Sequence, residues 1–455
     1  MQTLRQYILN DLKGARILKY RPFILKTVIS SSLLLSGVGL CLPSAQAAAT
    51  PLASSSSSTV DPVTTIKPLW HDKTDSLGLY DVKAPISNGL FYYSSGGTLK
   101  AADLTTGKVK WFYKNGAHPE IITKNSVFFI TYEGYLVKVN AQTGKLLWKV
   151  KAAKDPIEIG AYAELMNGVL YFRNDHGGIA AYHPVTGKKI WGNKDIPMYA
   201  GSIYGLYDGI FVVSSTVDNR RTQFFGLDPA TGKRLWRMEG FYNFVAYRDG
   251  DLILREQANA SNDASNEPLK GYQMTLVHVD VKSGKAKTKK NYKPLEDVSR
   301  LGNYFTSLQG SYLYTVDGSL NQWDFNTLYR FSLGQETKSE PKSYEEYGNW
   351  VAGPLNNMAF FQKGSQLTWV QMNNNRNTIF NGPDSPALSV QWFGKGIYAG
   401  YENGYFYIIN AETGKALGKI KTGARQYGKP FTANGILYIQ TEQDLFAIAL
   451  PKELK

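Results

Sequence analysis

The apolar positions of this chain come in short runs rich in β-branched and aromatic residues, each opened by a turn signal and followed by a second run. NGLFYYSSGGTLKAADL spans 88–104, NSVFFITYEGYLVKVN 125–140 and NGVLYFRNDHGGIAAYH 167–183. DGIFVVSS at 208–215, KGIYAGYENGYFYIIN at 395–410 and NGILYIQTEQDLFAIAL at 434–450 repeat the pattern. Such runs predict strand, turn, strand. The first residue of the clearest strand recurs at Leu90, Val127, Leu170, Ile210, Leu252, Tyr312, Met358, Ile397 and Ile436, at spacings of 37, 43, 40, 42, 60, 46, 39 and 39. No run of helical period follows the first 45 residues, so helical repeats of similar length are set aside.

A second hairpin follows the first in most units. It is written LTTGKVKW (104–111), NAQTGKLLW (140–148), HPVTGKKIW (183–191), DPATGKRLW (228–236), DVKSGKAKT (280–288) and NAETGKALG (410–418). Asp228 is placed to accept backbone N–H groups two or three residues on, and Pro229 presets φ for the turn. Gly232 supplies the left-handed residue that ends such a loop. Two hairpins per unit make a four-stranded unit near 40–45 residues, the period of a propeller blade. The last unit ends at Leu450 without its own TGK hairpin, and IKPLW (66–70) is a tryptophan-bearing strand with no partner nearby. Joining the two in one blade closes a ring and removes its open edges. The expected fold is all-β, a closed propeller of four-stranded antiparallel blades over 66–455.

Composition adds the compartment. Residues 1–47 carry a basic lead (Arg5, Lys13, Arg16, Lys19, Arg21, Lys26), an uncharged, mostly apolar run at 27–42, and Ala45-Gln46-Ala47, which fits a cleavage site. This predicts a secretory signal. The rival reading is an uncleaved anchor, although the run is short for a span of ~20 residues. Leu40 before Cys41 departs from a lipoprotein signal, which disfavours lipidation. Residues 48–65 form a Ser/Thr/Pro-rich linker. With 1–47 removed, 408 residues remain, without cysteine and with a net charge of +9. Thiolate catalysis and cysteine metal sites are then excluded, and a chain this long buries a core without disulfides. A basic balance favours polyanionic partners, and lysines on outer strands also block edge-to-edge pairing.

The pattern Asp-x-x-Thr-Gly-Lys-x-x-Trp after an apolar strand resembles the pyrroloquinoline-quinone (PQQ)-like propeller repeat. That repeat is found in quinoprotein alcohol dehydrogenases and in BamB-like propellers of the outer-membrane β-barrel assembly machine. The resemblance covers about 67–450, strongly over 82–236 and 395–450. It implies that Trp111, Trp148, Trp191 and Trp236 are docking tryptophans between blades, near the repeat glycines Gly107, Gly144, Gly187 and Gly232. It also implies eight blades, against nine hairpin units counted in the chain. Thr288 and Gly418 stand where the family has tryptophan, the stretches 325–340 and 368–380 lack the TGK phrase, and 258–271 is a polar insertion.

In the dehydrogenases the family's cofactor is PQQ with calcium, covered by a pair of adjacent cysteines. This mature chain has no cysteine, and its acidic residues are scattered one per turn. His71, His118, His176, His183 and His278 include no pair three to five residues apart, which gives zinc no local support. No G-x-S-x-G elbow or phosphate-binding loop is present. The favoured expectation is an exported, monomeric scaffold without cofactor. It would bind a protein or an anionic envelope polymer, with no specific nucleic acid and at most peripheral membrane contact. A PQQ-dependent dehydrogenase, and a carbohydrate-binding propeller or hydrolase with its site at the channel mouth, are the alternatives. Lys285, Lys287, Lys289, Lys290 and Lys293 in KAKTKKNYK form one candidate binding patch. An aromatic and amide-rich set, Trp350, Trp369, Asn373, Asn374, Asn375 and Arg376, forms a second; core tryptophans beside a hairpin loop are the favoured explanation for it.

Overall fold

The computed structural model describes residues 63–75, 85–154, 161–174, 178–196, 198, 201–216, 222–256, 274–292, 305–318, 326–335 and 340–455. The expected signal segment (1–47), most of the linker, His176, Lys293 and the insertion at 258–271 lie outside them. Among the described residues the chain forms nine four-stranded antiparallel sheets. They are numbered as blades: 1 (86–113), 2 (119–151), 3 (162–193), 4 (202–240), 5 (242–291), 6 (306–343), 7 (349–381), 8 (387–421) and 9 (431–449 with Trp70–Lys73). Blades 1–8 are meanders in chain order. The number expected from the family, eight, is therefore corrected to nine. The hairpin count was the better guide because the units lacking the TGK phrase still build full sheets.

Turn chemistry explains why each unit folds alike. The first two strands of most blades are joined by Asn-Gly or Asp-Gly, with both residues at positive φ, as at Asn88 (53°) and Gly89 (73°) or Asp208 (47°) and Gly209 (81°). This is the type I′ pair that matches strand twist. In the TGK hairpin, Asp228 Oδ1 accepts the Ala230 N–H at 2.8 Å and Gly232 N–H donates to Asp228 O at 2.8 Å. His183 takes the Asp position in blade 3, where Nδ1 accepts the Val185 and Thr186 N–H groups at 3.3 Å. Blade 7 makes the same loop from NNNRN, with Asn375 (φ 57°) in the glycine position and its N–H donating to Gln371 O.

Alternation along each strand builds the core between blades. Leu90 and Tyr92 pack toward blade 2, while Phe91 and Tyr93 pack toward blade 9. Among the described residues nine apolar clusters result, each shared by two consecutive blades, including 8 with 9 and 9 with 1. The ring is thus closed by side-chain burial as well as by strand pairing. Trp70–Lys73 completes blade 9 by pairing with Asp444–Ala449. The strand begins at Trp70, four residues later than the expected IKPLW. Ile66 instead reaches back to blade 8, where Ile66 N–H donates to Lys419 O (2.8 Å) and Lys419 N–H to Thr64 O (2.9 Å).

Candidate functional site

The four tryptophans of the repeat phrase sit at the end of each blade and face the next. A Cβ added to Gly144 would lie 2.7 Å from the Trp111 ring, one on Gly187 2.8 Å from Trp148, one on Gly232 2.3 Å from Trp191 and one on Gly284 2.6 Å from Trp236. Trp70 does the same at Gly107. Each glycine is required twice, by its positive φ and by the indole lying on it. Each indole N–H then donates to a backbone carbonyl of the following hairpin: Leu104 for Trp70, Ala141 for Trp111, Pro184 for Trp148, Pro229 for Trp191 and Val281 for Trp236, at 2.8–3.2 Å. A buried ring that also satisfies its polar edge suits such a junction.

The other junctions use different parts. Thr288 follows the phrase in blade 5, and there the buried Tyr292 meets Phe331 edge-on at 5.3 Å. Buried Arg255 bridges to Thr306 and Thr315 of blade 6 at 2.9 and 3.0 Å. Between blades 6 and 7, Tyr344 stacks on Phe361. Between 7 and 8 the indole comes from the third strand: Trp369, 2% exposed, donates to Ala411 O at 2.8 Å. At Gly418, where the phrase lacks its tryptophan, Ile66 fills the space; an added Cβ would lie 2.3 Å from its Cδ1. Sequence reasoning missed Arg255, Ile66 and the junction role of Trp369. The apolar alternation of QLTWVQ was the available signal for the last.

The candidate binding patches fare differently. Lys285, Lys287, Lys289 and Lys290 lie on or beside the outer strand Ala286–Asn291. Lys287 Nζ is 2.6 Å from Asp251 and 3.1 Å from Asp280, and Lys289 Nζ is 3.3 Å from Glu256. The Ser283 hydroxyl and the Lys287 ammonium hold the Asp280 carboxyl down to about 2, so the pair is ionised across the neutral range. The alternate lysines are thus matched by acids of their own blade, and Tyr292 is core. The second patch is not brought together. Trp369 is buried, Trp350 donates to Gly353 O and packs on Phe305, and Asn373–Arg376 is hairpin loop. A shallow cleft of about 360 Å³ beside Tyr113, Asn115, Thr131, Glu133 and Lys149 joins blades 1 and 2.

Titratable pairs are local. His118 Nε2 lies 2.8 Å from Glu120, and His71 Nε2 lies 2.6 Å from Asp444. Among the described residues no three His, Cys, Asp or Glu side chains come together as cation ligands. No helix among the described residues is long and apolar enough to cross a membrane.

Known proteins resemble this arrangement. A 141-residue stretch is 30% identical to the quinoprotein alcohol dehydrogenase PedH of Pseudomonas putida, covering 26% of this chain and 24% of that protein. A 161-residue stretch is 25% identical to the dehydrogenase subunit of the quinone alcohol dehydrogenase of Gluconobacter oxydans, covering 29% and 21%. The chain thus spans under a quarter of the length of each of these relatives. The solved structure of BamB from Moraxella catarrhalis superposes with a TM-score of 0.42 and 13% identity, covering 86% of this chain and 99% of that one. The family profile described as outer membrane protein assembly factor BamB matches residues 59–203, 132–302 and 175–431. With its repeat, its hairpins and its closed ring of blades, the chain belongs to that family of PQQ-like repeat propellers.

Proposed function

We propose that this protein is an exported, non-catalytic scaffold of the cell envelope that binds a protein or an anionic envelope polymer without turnover. The observation that carries the reading is the family match from 59 to 431, to proteins described as assembly factors. A closed ring with an apolar cluster at every blade junction supports it, since a rigid scaffold presents its loops in fixed positions. A fold hosts many functions, so the reading stands on its test. Envelope extracts passed over the immobilised exported protein should yield one partner in constant ratio, displaced by free protein. Failure to retain any protein or polymer would refute it.

A second reading, a PQQ-dependent dehydrogenase, is favoured by the identity to PedH. Adding PQQ and calcium and following the quinone spectrum, with dye reduction by an alcohol, separates the two. Under the scaffold reading neither signal changes, whereas dye reduction that requires the quinone would establish the enzyme.

A further inference from the structure

The third and fourth strands of a blade are joined at the same end of the sheet as the first and second. Connections at that end of the first two strands are two or three residues long in all nine blades. Directly after the left-handed residue of the second hairpin stands an exposed cation: Lys108, Lys145, Lys188, Lys233, Lys285 and Lys415. Blades 1–5 and 8 place it at the same register, so these charges lie along an arc at the perimeter of one face.

Edge protection does not account for them. The backbone carbonyls of these lysines are already paired inside the hairpin, as where Asp103 N–H donates to Lys108 O and Asp228 N–H to Lys233 O. Cations further along the outer strands are the ones matched by acids, as in Lys110–Asp103, Arg237–Glu239 and Lys287–Asp251. Among the described residues none of the six turn lysines lies within ion-pair distance of a carboxylate. The turn acids Asp103, Asp228 and Asp280 are held by their own loop N–H groups. Exposed aliphatic side chains adjoin the cations: Val109, Leu146 and, within the blade 3 turn, Val185 at 68% exposure.

We propose that this face docks flat on a bilayer rich in anionic phospholipid, with the turn lysines among the headgroups and the adjoining aliphatics at the acyl boundary. An arc of charges spread over six blades on short turns matches a plane, whereas a polymer chain is matched by a line or groove. Cations beside exposed apolar groups are the composition of an interfacial binder. Each lysine near an anionic surface contributes roughly 1 kcal/mol. The proposal deepens the envelope reading by naming a surface for the ring. It is tested on purified protein, so its failure leaves the partner experiment above standing.

The test is flotation of the exported protein with phosphatidylcholine vesicles containing about 30% phosphatidylglycerol, against pure phosphatidylcholine. Binding should require the anionic lipid and fall away as salt rises from ~0.1 M to ~1 M, where the Debye length shrinks from ~10 to ~3 Å. The combined variant Lys108→Gln, Lys145→Gln, Lys188→Gln and Lys233→Gln should bind on the order of 1,000-fold more weakly, with an unchanged melting temperature. Lys287→Gln with Lys289→Gln, which alters ion-paired lysines, should bind like the parent. All three chains share one N-terminal segment, so differences belong to the ring. Equal flotation on neutral vesicles, or full binding by the fourfold variant, overturns the proposal. Displacement from vesicles by soluble polyglycerol phosphate at matched phosphate does so too, by making the arc a polymer reader.

Discussion

Trp236 and Thr288 occupy the same place in consecutive blades and do unlike work. The Trp236 ring lies on Gly284, is 8% exposed and donates to Val281 O. Thr288 is an exposed residue on a lysine-rich edge. Trp236→Ala should therefore lower stability by ~3–5 kcal/mol through the cavity and the orphaned carbonyl, and Thr288→Ala by ~0.5 kcal/mol or less. Chemical denaturation midpoints check this, and equal midpoints would refute it. Trp369→Ala should behave like Trp236→Ala although it stands in another strand. That equivalence was hidden in the sequence, where the family phrase directs attention to the fourth strand. The ion pairs of Lys287 and Lys289 were hidden for a related reason. Their partners Asp251 and Glu256 are two strands away in the sheet, brought close only by the cross-strand register.

The closing strand, Trp70–Lys73, is the element on which the ring depends. It is fastened to both neighbours. His71 and Lys73 meet Asp444 of blade 9, while Asp72 takes the Tyr93 hydroxyl and Lys100 ammonium of blade 1. Two residues on, Asp75 accepts the Gly96 and Gly97 N–H groups at 2.7 and 3.1 Å. Burial alone would raise the Asp72 carboxyl, but Tyr93, Lys100 and the Lys73 N–H together hold it below its ordinary value. Asp444 is lowered in the same way, with Lys73 and His71 outweighing burial. A native pKa below the unfolded one means that the unfolded chain binds more protons through that window. The contribution of both groups is complete above about pH 4, the unfolded carboxyl range, and is lost as pH falls through their lowered native values. Asp72→Asn with Asp444→Asn should therefore reduce stability at neutral pH and flatten its decline in acid. Melting temperatures between neutral and strongly acid buffer check the sign. A parent chain whose stability did not fall with acid would contradict it.

At the scale of the whole ring, the sequence was legible wherever a local turn dictated the chain path. Asn-Gly and Thr-Gly hairpins declare themselves because few residues tolerate their φ values. Blade number was less legible, since nothing local says whether an atypical unit completes a sheet. NNNRN (373–377) shows why: Asn375 adopts the left-handed conformation without a glycine, so a blade exists where the phrase is missing. Ring closure was visible as an unpartnered tryptophan strand, but the reach of Ile66 into blade 8 was not, because the feature that receives it is the absence of a side chain at Gly418. That contact has a mechanical consequence. Tension entering the ring from the N-terminal side meets the Thr64–Ile66 pairing with Lys419 before it reaches Trp70–Lys73. A short, two-bond clasp thus stands in series ahead of the four-residue seam and its tryptophan. Stretched in a force-spectroscopy trace, the protein should yield first at low load by a few residues, with blade 9 still closed, and only later in one large extension. Ile66→Gly, which keeps both backbone bonds but removes the packing on Gly418, should lower the force of the early event and leave the later one at unchanged force.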